Sequence, residues 1–103
     1  FNNPIYRTSI DRFREARTVL DEALALARLK LDAGHLRIAE GEVELARLDL
    51  AEGGSGEERA AAAARAGERL AVAEAIAATK APSPTFRRNM AAAKAELARS
   101  VGS

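Results

Sequence analysis

The chain contains no cysteine and no tryptophan, has a single histidine, and only 4% of its residues are aromatic. Without cysteine it can form no disulfide, no thiolate metal site and no thiol nucleophile. The formal net charge is +1, so no overall field attracts nucleic acid or an acidic membrane. No apolar run approaches the roughly 20 residues that a membrane-spanning helix needs. We therefore expect neither a nucleic-acid partner nor a membrane.

Alanine dominates the residues that are present. The 103 residues include 25 alanines, and 48% of the chain is apolar while 30% is charged. Alanine has the highest intrinsic helix propensity, and this balance of apolar and charged residues is typical of a globular domain. No segment alternates apolar and polar residues with the period of two that marks a strand. These features predict one all-α domain over residues 1–103.

Stop signals divide the chain into four predicted helices, which cover about 4–33, 35–52, 56–80 and 84–101. Gly34 is predicted to end the first helix in a left-handed conformation, as glycine often does. Short connections between consecutive helices predict an antiparallel four-helix bundle with short loops. A short solenoid of two helical hairpins is the variant, and both architectures place consecutive helices side by side.

The helix starts have their own signals. Asn3-Pro4 predicts the start of the first helix, and a capping pattern at Thr8 is the alternative. In "SGEE", Ser55 is a predicted cap with Glu58 three residues later, which is a capping-box pattern. Ser83, followed by a proline, is predicted to start the fourth helix.

The second helix is apolar on two opposite sides. The first stripe contains Leu36, Ala39, Val43, Ala46 and Leu50. The second lies about 160° away and contains Ile38, Gly41, Leu45 and Leu48. Charged side chains, including Glu42 and Asp49, fill the gaps between the stripes, and we expect the carboxylates to be solvated. The helix either lies between neighbours on both sides or leaves one stripe exposed for a partner.

The third helix is predicted to be a thin rod because most of its side chains are small. Its small residues are Ala60–Ala64, Ala66, Gly67, Ala71, Ala73, Ala75, Ala77 and Ala78. Neighbouring helices can approach such a rod closely, and this is the favoured interpretation. The alternative is a slot for a flat ligand.

Residues 20–51 resemble a tetratricopeptide-repeat hairpin. The resemblance rests on the spacing of Leu26-Ala27, Gly34 at the turn, and Leu36, Ala39, Val43 and Ala46. It implies a helical-hairpin scaffold that binds a peptide or a protein.

The chain also resembles de novo designed helical bundles and binders. The resemblance rests on the regular "GGSGEE" loop and capping sequence, on "ERAAAAARAGERLAVAEA", and on the final "GS". The irregular "FNNPIYRTSIDRFREAR" contrasts with these segments. A designed binder often has regular sequence away from its target and irregular sequence at the contact surface, so the resemblance implies a contact near the N-terminus.

Catalytic and cofactor sites are not indicated. His35 follows the predicted turn glycine, which is a position typical of a surface histidine at a helix start. A structural zinc site needs more than one histidine when cysteine is absent. "GGSG" lacks the lysine and the Ser/Thr of a phosphate-binding loop. We predict no enzyme activity, no catalytic residue, no metal and no cofactor.

Partner contacts are predicted at three places. The start of the first helix combines aromatic residues with arginines, which are enriched at interfaces. The second stripe of the second helix is the next candidate. Arg87-Arg88 is the third, because positive charge in the first turn of a helix opposes the helix dipole. The candidates are Phe1, Ile5, Tyr6, Arg7, Arg14, Arg17, Ile38, Leu45, Leu48, Arg87 and Arg88, whereas Phe13 is assigned to the core.

The predicted function is that of a non-catalytic module, engineered in origin, that binds a protein or peptide through an apolar stripe and arginines. One alternative is a designed bundle that binds a small molecule in a pocket lined by alanine and glycine. The other is a structural or self-assembling unit, for which a homo-oligomer is expected. The N-terminus lacks a signal-peptide pattern, so we expect a cytoplasmic location if the chain is expressed as it stands.

Overall fold

The computed structural model describes the backbone of residues 4–32, 34–54 and 56–102 and the side chains of residues 11–32, 34–54 and 56–101. It contains the helices α1 (Pro4–Lys30), α2 (Leu36–Glu52), α3 (Gly56–Ala77) and α4 (Pro84–Gly102). No strand occurs in these ranges. The predicted all-α class and the order of the helices are confirmed.

The helix starts follow local capping chemistry. The Nδ1 of His35 accepts the N–H of Arg37 at 3.1 Å, so this histidine, which was predicted to lie on the surface at a helix start, caps α2. The Oγ of Ser83 accepts the N–H of Phe86 at 3.2 Å and caps α4, which confirms the predicted start. Pro4 is the first residue of α1, as the Asn3-Pro4 signal predicted. Asn3 and the predicted cap Ser55 lie outside the described residues.

Two predicted helix ends are wrong. The helix α1 stops at Lys30, and Gly34 is not left-handed, because within the described ranges only Gly54 (φ 66°) and Gly56 (φ 60°) have positive φ. The chain reverses instead through a tight turn in which the N–H of His35 donates to the carbonyl of Asp32 at 2.9 Å. The helix α3 stops at Ala77, short of residue 80, and its last turn tightens into bonds between residues three apart.

The helix α2 lies at the centre of the bundle. It packs against α1, α3 and α4, and α3 also packs against α4. Within the described residues, the backbone of α1 approaches α2 alone. The two apolar stripes of α2 are therefore explained by neighbours on both sides, and the bundle is not closed between α1 and α4.

The core lies between α2, α3 and α4, with α1 contributing Leu24. Small side chains form much of it, because Ala39, Ala46, Ala66, Ala73 and Ala93 have no exposed surface. Larger residues fill the space between them, including Ile38, Val43, Leu45, Leu70, Phe86 and Met90. The alanines therefore serve close helix packing, in agreement with the favoured interpretation of the sequence.

The start of α1 projects beyond the rest of the bundle. The helix has 27 residues against 17 in α2, and Arg17 already reaches Glu52, the last residue of α2. Residues 4–16 extend past that end by about 20 Å at 1.5 Å per residue. We call them the α1 extension. Phe13 lies on it and is 37% exposed, so its assignment to the core is wrong.

Candidate functional site

Two carboxylates are buried on one face of α2. Glu42 and Asp49 are seven residues apart, which places them on the same side of a helix. Asp49 is fully buried and Glu42 is 4% exposed. The expectation that all carboxylates of this chain are solvated is therefore wrong for these two.

Arginines from α1 and α3 hold both carboxylates. The Oδ1 of Asp49 accepts the Nη2 of Arg17 at 2.8 Å, and its Oδ2 accepts the Nε of Arg69 at 3.0 Å. The Oε1 of Glu42 accepts the Nη1 of Arg69 at 2.9 Å, and its Oε2 accepts the Nη2 of Arg28 at 2.7 Å. Every oxygen of the two groups thus has an arginine donor.

We call Glu42, Asp49, Arg17, Arg28, Arg65 and Arg69 the carboxylate–arginine cluster; Arg65 is its outermost member, with its Nε 3.9 Å from Asp49. Burying a carboxylate without partners costs several kcal/mol, and a buried pair is tolerable only when its remaining hydrogen-bonding groups are satisfied. That condition is met here, since no buried side-chain nitrogen or oxygen of the described residues lacks a partner. The cluster therefore links α1, α2 and α3 through one row of charges.

Two arginines that pair with carboxylates of other helices have raised pKa values. Burial acts to lower the pKa of Arg17, but its hydrogen bonds to Glu52 and Asp49 and their charges outweigh this, so the pKa is raised. A hydrogen bond to Glu96 likewise raises the pKa of Arg47, whose Nε and Nη2 lie 3.0 and 2.9 Å from that carboxylate. A raised pKa means that the stabilisation is complete below the ordinary arginine pKa and is lost only at still higher pH.

The cluster has the chemistry of a structural element. A general acid or base needs a group that can exchange a proton with a substrate, and a metal site needs oxygens that are not already engaged. Each oxygen of Glu42 and Asp49 accepts a hydrogen bond from an arginine of the same chain. No group of three or more histidine or acidic residues placed to hold a metal occurs among the described residues.

The side of α1 that faces away from α2 is exposed and carries three large apolar side chains, with the exposed Glu22 between two of them. Val19, Leu26 and Leu29 are 63%, 54% and 81% exposed. Val19 and Leu26 are seven residues apart and share one line along the helix, and Leu29 lies one turn beyond Leu26. We call these three residues the α1 outer face. None of the three was predicted to be a contact residue from the sequence.

The structure buries part of the predicted contact surface. Ile38 and Leu45 belong to the core, and Leu48 is half-buried against it. The expectation that the second stripe of α2 stays exposed is wrong, because α1 covers that side. On α3, Val72 is 44% exposed while Ile76 is buried.

The predicted arginines have different environments. Arg17 is engaged inside the chain with Asp49 and Glu52. Arg14 is exposed on the α1 extension, and Arg87 and Arg88 are exposed in the first turn of α4.

The remaining candidates lie at the N-terminus. Phe1 lies outside the described residues. Ile5, Tyr6 and Arg7 belong to α1 by their backbone, and their side chains lie outside the described part of the chain. The structure therefore leaves their predicted role in partner contact as a prediction.

Sequence reasoning missed the carboxylate–arginine cluster. The available signal was the seven-residue spacing of Glu42 and Asp49 on a helix with apolar stripes on both flanks. A helix covered on both sides leaves little room for solvated charges. The sequence does not identify Arg69 as the partner of these carboxylates, because the chain contains many arginines and nothing distinguishes this one.

The depressions on the surface are open grooves. One of about 610 Å³ lies over α2 between α1 and α4, with Leu20, Leu48 and Glu96 in its lining. Another of about 560 Å³ lies between α1 and α2, above Gly41. Among the alanines that were considered as a lining for a flat ligand, Ala39, Ala46, Ala66 and Ala73 are buried in the core, whereas Ala60, Ala63 and Ala64 line a third open groove of about 630 Å³ between α3 and α4.

The chain was compared with protein-family models, with curated proteins and with solved structures, and none of these comparisons finds a match. None of the described helices is both long enough and apolar enough to cross a membrane.

Proposed function

We propose that this chain is a non-catalytic helical module that binds another protein through α1. The observation that carries the proposal is that α1 packs through one side only, while Val19, Leu26 and Leu29 remain exposed on the other. Exposed apolar residues that lie together on one helix face are the usual mark of an interaction site. Single exposed apolar residues elsewhere, such as Val101, need no such explanation.

The expected partner is an amphipathic helix. Val19 and Leu26 lie on one line of a continuous helix and Leu29 lies about 60° to one side of it, so the three form a short apolar strip that is complementary to the apolar stripe of a second helix. Exposed charges of both signs border this strip, with Glu15 and Glu22 on the same side and Arg12 nearby. Charges of both signs beside the partner's apolar stripe would therefore favour binding, mainly by accelerating association.

A display experiment tests this proposal. The full chain is immobilised, and helical peptides are selected on it from a displayed library. We expect the selected peptides to lose affinity by about tenfold or more, or about 1.4 kcal/mol, for the double variant V19E/L26E. The reason is that a charge on the apolar line would have to be buried without a partner.

The control variant is T18E/A25E. Thr18 and Ala25 are exposed, have the same seven-residue spacing, and are rotated by about 100° around α1 from Val19 and Leu26, so the added charge is matched. Far-UV circular dichroism should show that both variants are as helical as the parent chain. The proposal fails if no peptide is enriched, or if V19E/L26E binds the selected peptides as well as T18E/A25E does.

The engineered origin stays a prediction from the sequence. It rests on the regular loop and capping sequence "GGSGEE" and on the alanine-rich third helix. On this view the irregular first helix is the contact element, which agrees with the proposed use of α1.

A further inference from the structure

The helix α1 is attached to the rest of the bundle through a single neighbour. Its apolar contacts with α2 involve Leu20, Leu24 and Ala27, and Leu24 lies directly over Gly41. Its polar contacts are Arg17 to Asp49 and Glu52, and Arg28 to Glu42. Because the backbone of α1 approaches neither α3 nor α4 in the described residues, these contacts with α2 are what hold it in place.

The surface beneath α1 is specific and keeps part of its hydrogen bonding when α1 leaves. It includes Gly41 and the two buried carboxylates of α2. Arg69 of α3 bonds to both carboxylates, so each keeps one arginine even without α1. The state in which α1 has left α2 is thus accessible. It exposes apolar surface, and one oxygen of Asp49 and one of Glu42 lose the hydrogen bond from an arginine of α1. Any helix that carries the side chains of α1 at the same spacing would fit it.

The connection between α1 and α2 is short. Only five residues separate Lys30 from Leu36, and Gly34 has no atom within 4 Å of the position that a Cβ would occupy. In the described residues α1 packs against α2 alone, so it can separate from the bundle without disturbing the packing of α3 against α4. Short connections of this kind favour exchange of an element between two copies of a chain.

We propose that α1 exchanges between two copies of this chain and forms a dimer in which each α1 lies on the α2 of the other copy. Arg17 and Arg28 of one copy then bind Asp49 and Glu42 of the other. Every contact across the α1–α2 interface is kept, so only the connection 31–35 and the protein concentration decide between the monomer and the dimer. The occupant of the surface on α2 is therefore the first helix of a second copy.

This inference does not depend on the proposed function. The exchange uses the side of α1 that faces α2, whereas the proposed partner binds the α1 outer face. A chain that exchanges α1 keeps that face exposed, and a chain that never exchanges can still bind a helical partner. The two tests can therefore succeed or fail separately.

A disulfide placed across the interface tests the exchange. A Cβ at residue 41 would lie 3.9 Å from the Cβ of Leu24, which is within the range of natural disulfides. The chain has no cysteine of its own. The variant L24C/G41C is refolded from urea over a wide range of protein concentrations and then oxidised. We expect disulfide-linked monomers at the lowest concentration and a fraction of disulfide-linked dimers that grows with concentration.

Two single variants make the test stricter. When L24C is mixed with G41C and refolded, a mixed disulfide dimer can form only if α1 of one chain lies on α2 of the other. The control mixture is V19C with G41C, because Val19 lies on the α1 outer face. Linked monomers at every concentration, or equal yields of mixed dimer from L24C and V19C, would overturn the proposal.

Discussion

Removing the buried carboxylate of Asp49 is the most informative perturbation of this fold. Asp49 has no exposed surface and accepts hydrogen bonds from Arg17 at 2.8 Å and from Arg69 at 3.0 Å. Hydrogen bonds to charged groups contribute about 1.5–3 kcal/mol each, so the two bonds together amount to about 3–6 kcal/mol. In Asp49→Ala, Arg17 keeps Glu52 and Arg69 keeps Glu42, so neither cation is stranded. We therefore expect a loss of about 3 kcal/mol, at the lower end of the range for broken buried ion pairs.

The assay is urea unfolding followed by far-UV circular dichroism. With a slope of about 1–3 kcal/mol per molar urea, this loss lowers the midpoint by about 1–3 M. Glu52→Ala is the matched control, since Glu52 binds the same Arg17 at 2.7 Å but is exposed at the surface. An exposed pair contributes about 1 kcal/mol or less. If Asp49→Ala loses no more stability than Glu52→Ala, the carboxylate–arginine cluster does not hold the bundle together and the argument from burial is wrong.

Three further variants test the packing and the cap of α2. The variant Gly67→Ala should raise the free energy of unfolding by about 0.5–1 kcal/mol, because its Cβ would lie at an ordinary 3.9 Å from Leu97. Gly41→Ala should show no such gain in the same urea assay, since its Cβ would lie 3.1 Å from the Cδ1 of buried Leu24 and crowding offsets the helix propensity. His35→Ala should lower the free energy of unfolding by about 0.5–2 kcal/mol through loss of the α2 cap, and a thermal melt unchanged by it would show that the cap contributes nothing.

The helices of this protein are predictable from sequence because their signals are local. Ser83 occupies a cap position that serine favours, and the absence of segments with strand periodicity predicted no sheet. Gly34 misled the prediction because a glycine after a helix commonly takes the left-handed conformation, whereas here a tight turn at Asp32 reverses the chain first. Local signals thus identify the helices better than they define the ends.

The surface is less predictable because burial depends on which helices become neighbours. Two apolar stripes on α2 correctly suggested a central helix or an exposed stripe, but the sequence could not decide which helix would be left uncovered. The structure covers Ile38 and Leu45 and exposes Val19 and Leu26. Phe13 was assigned to the core because it continues the apolar stripe of α1, yet α2 ends before reaching it. The first predicted helix (4–33) is longer than the second (35–52), and this difference already indicates that the start of α1 lies beyond the end of α2.

The central place of α2 also sets the order in which the protein opens. An amide hydrogen exchanges with solvent when its own element opens, and elements that can open alone exchange sooner than those whose opening requires global unfolding. The helix α1 can lift away while α2, α3 and α4 stay together, whereas α2 cannot leave without breaking every helix pair except α3–α4. The slowest-exchanging hydrogens should therefore lie in the middle of α2. We therefore expect α1, although it is the longest helix, to be among the first to open.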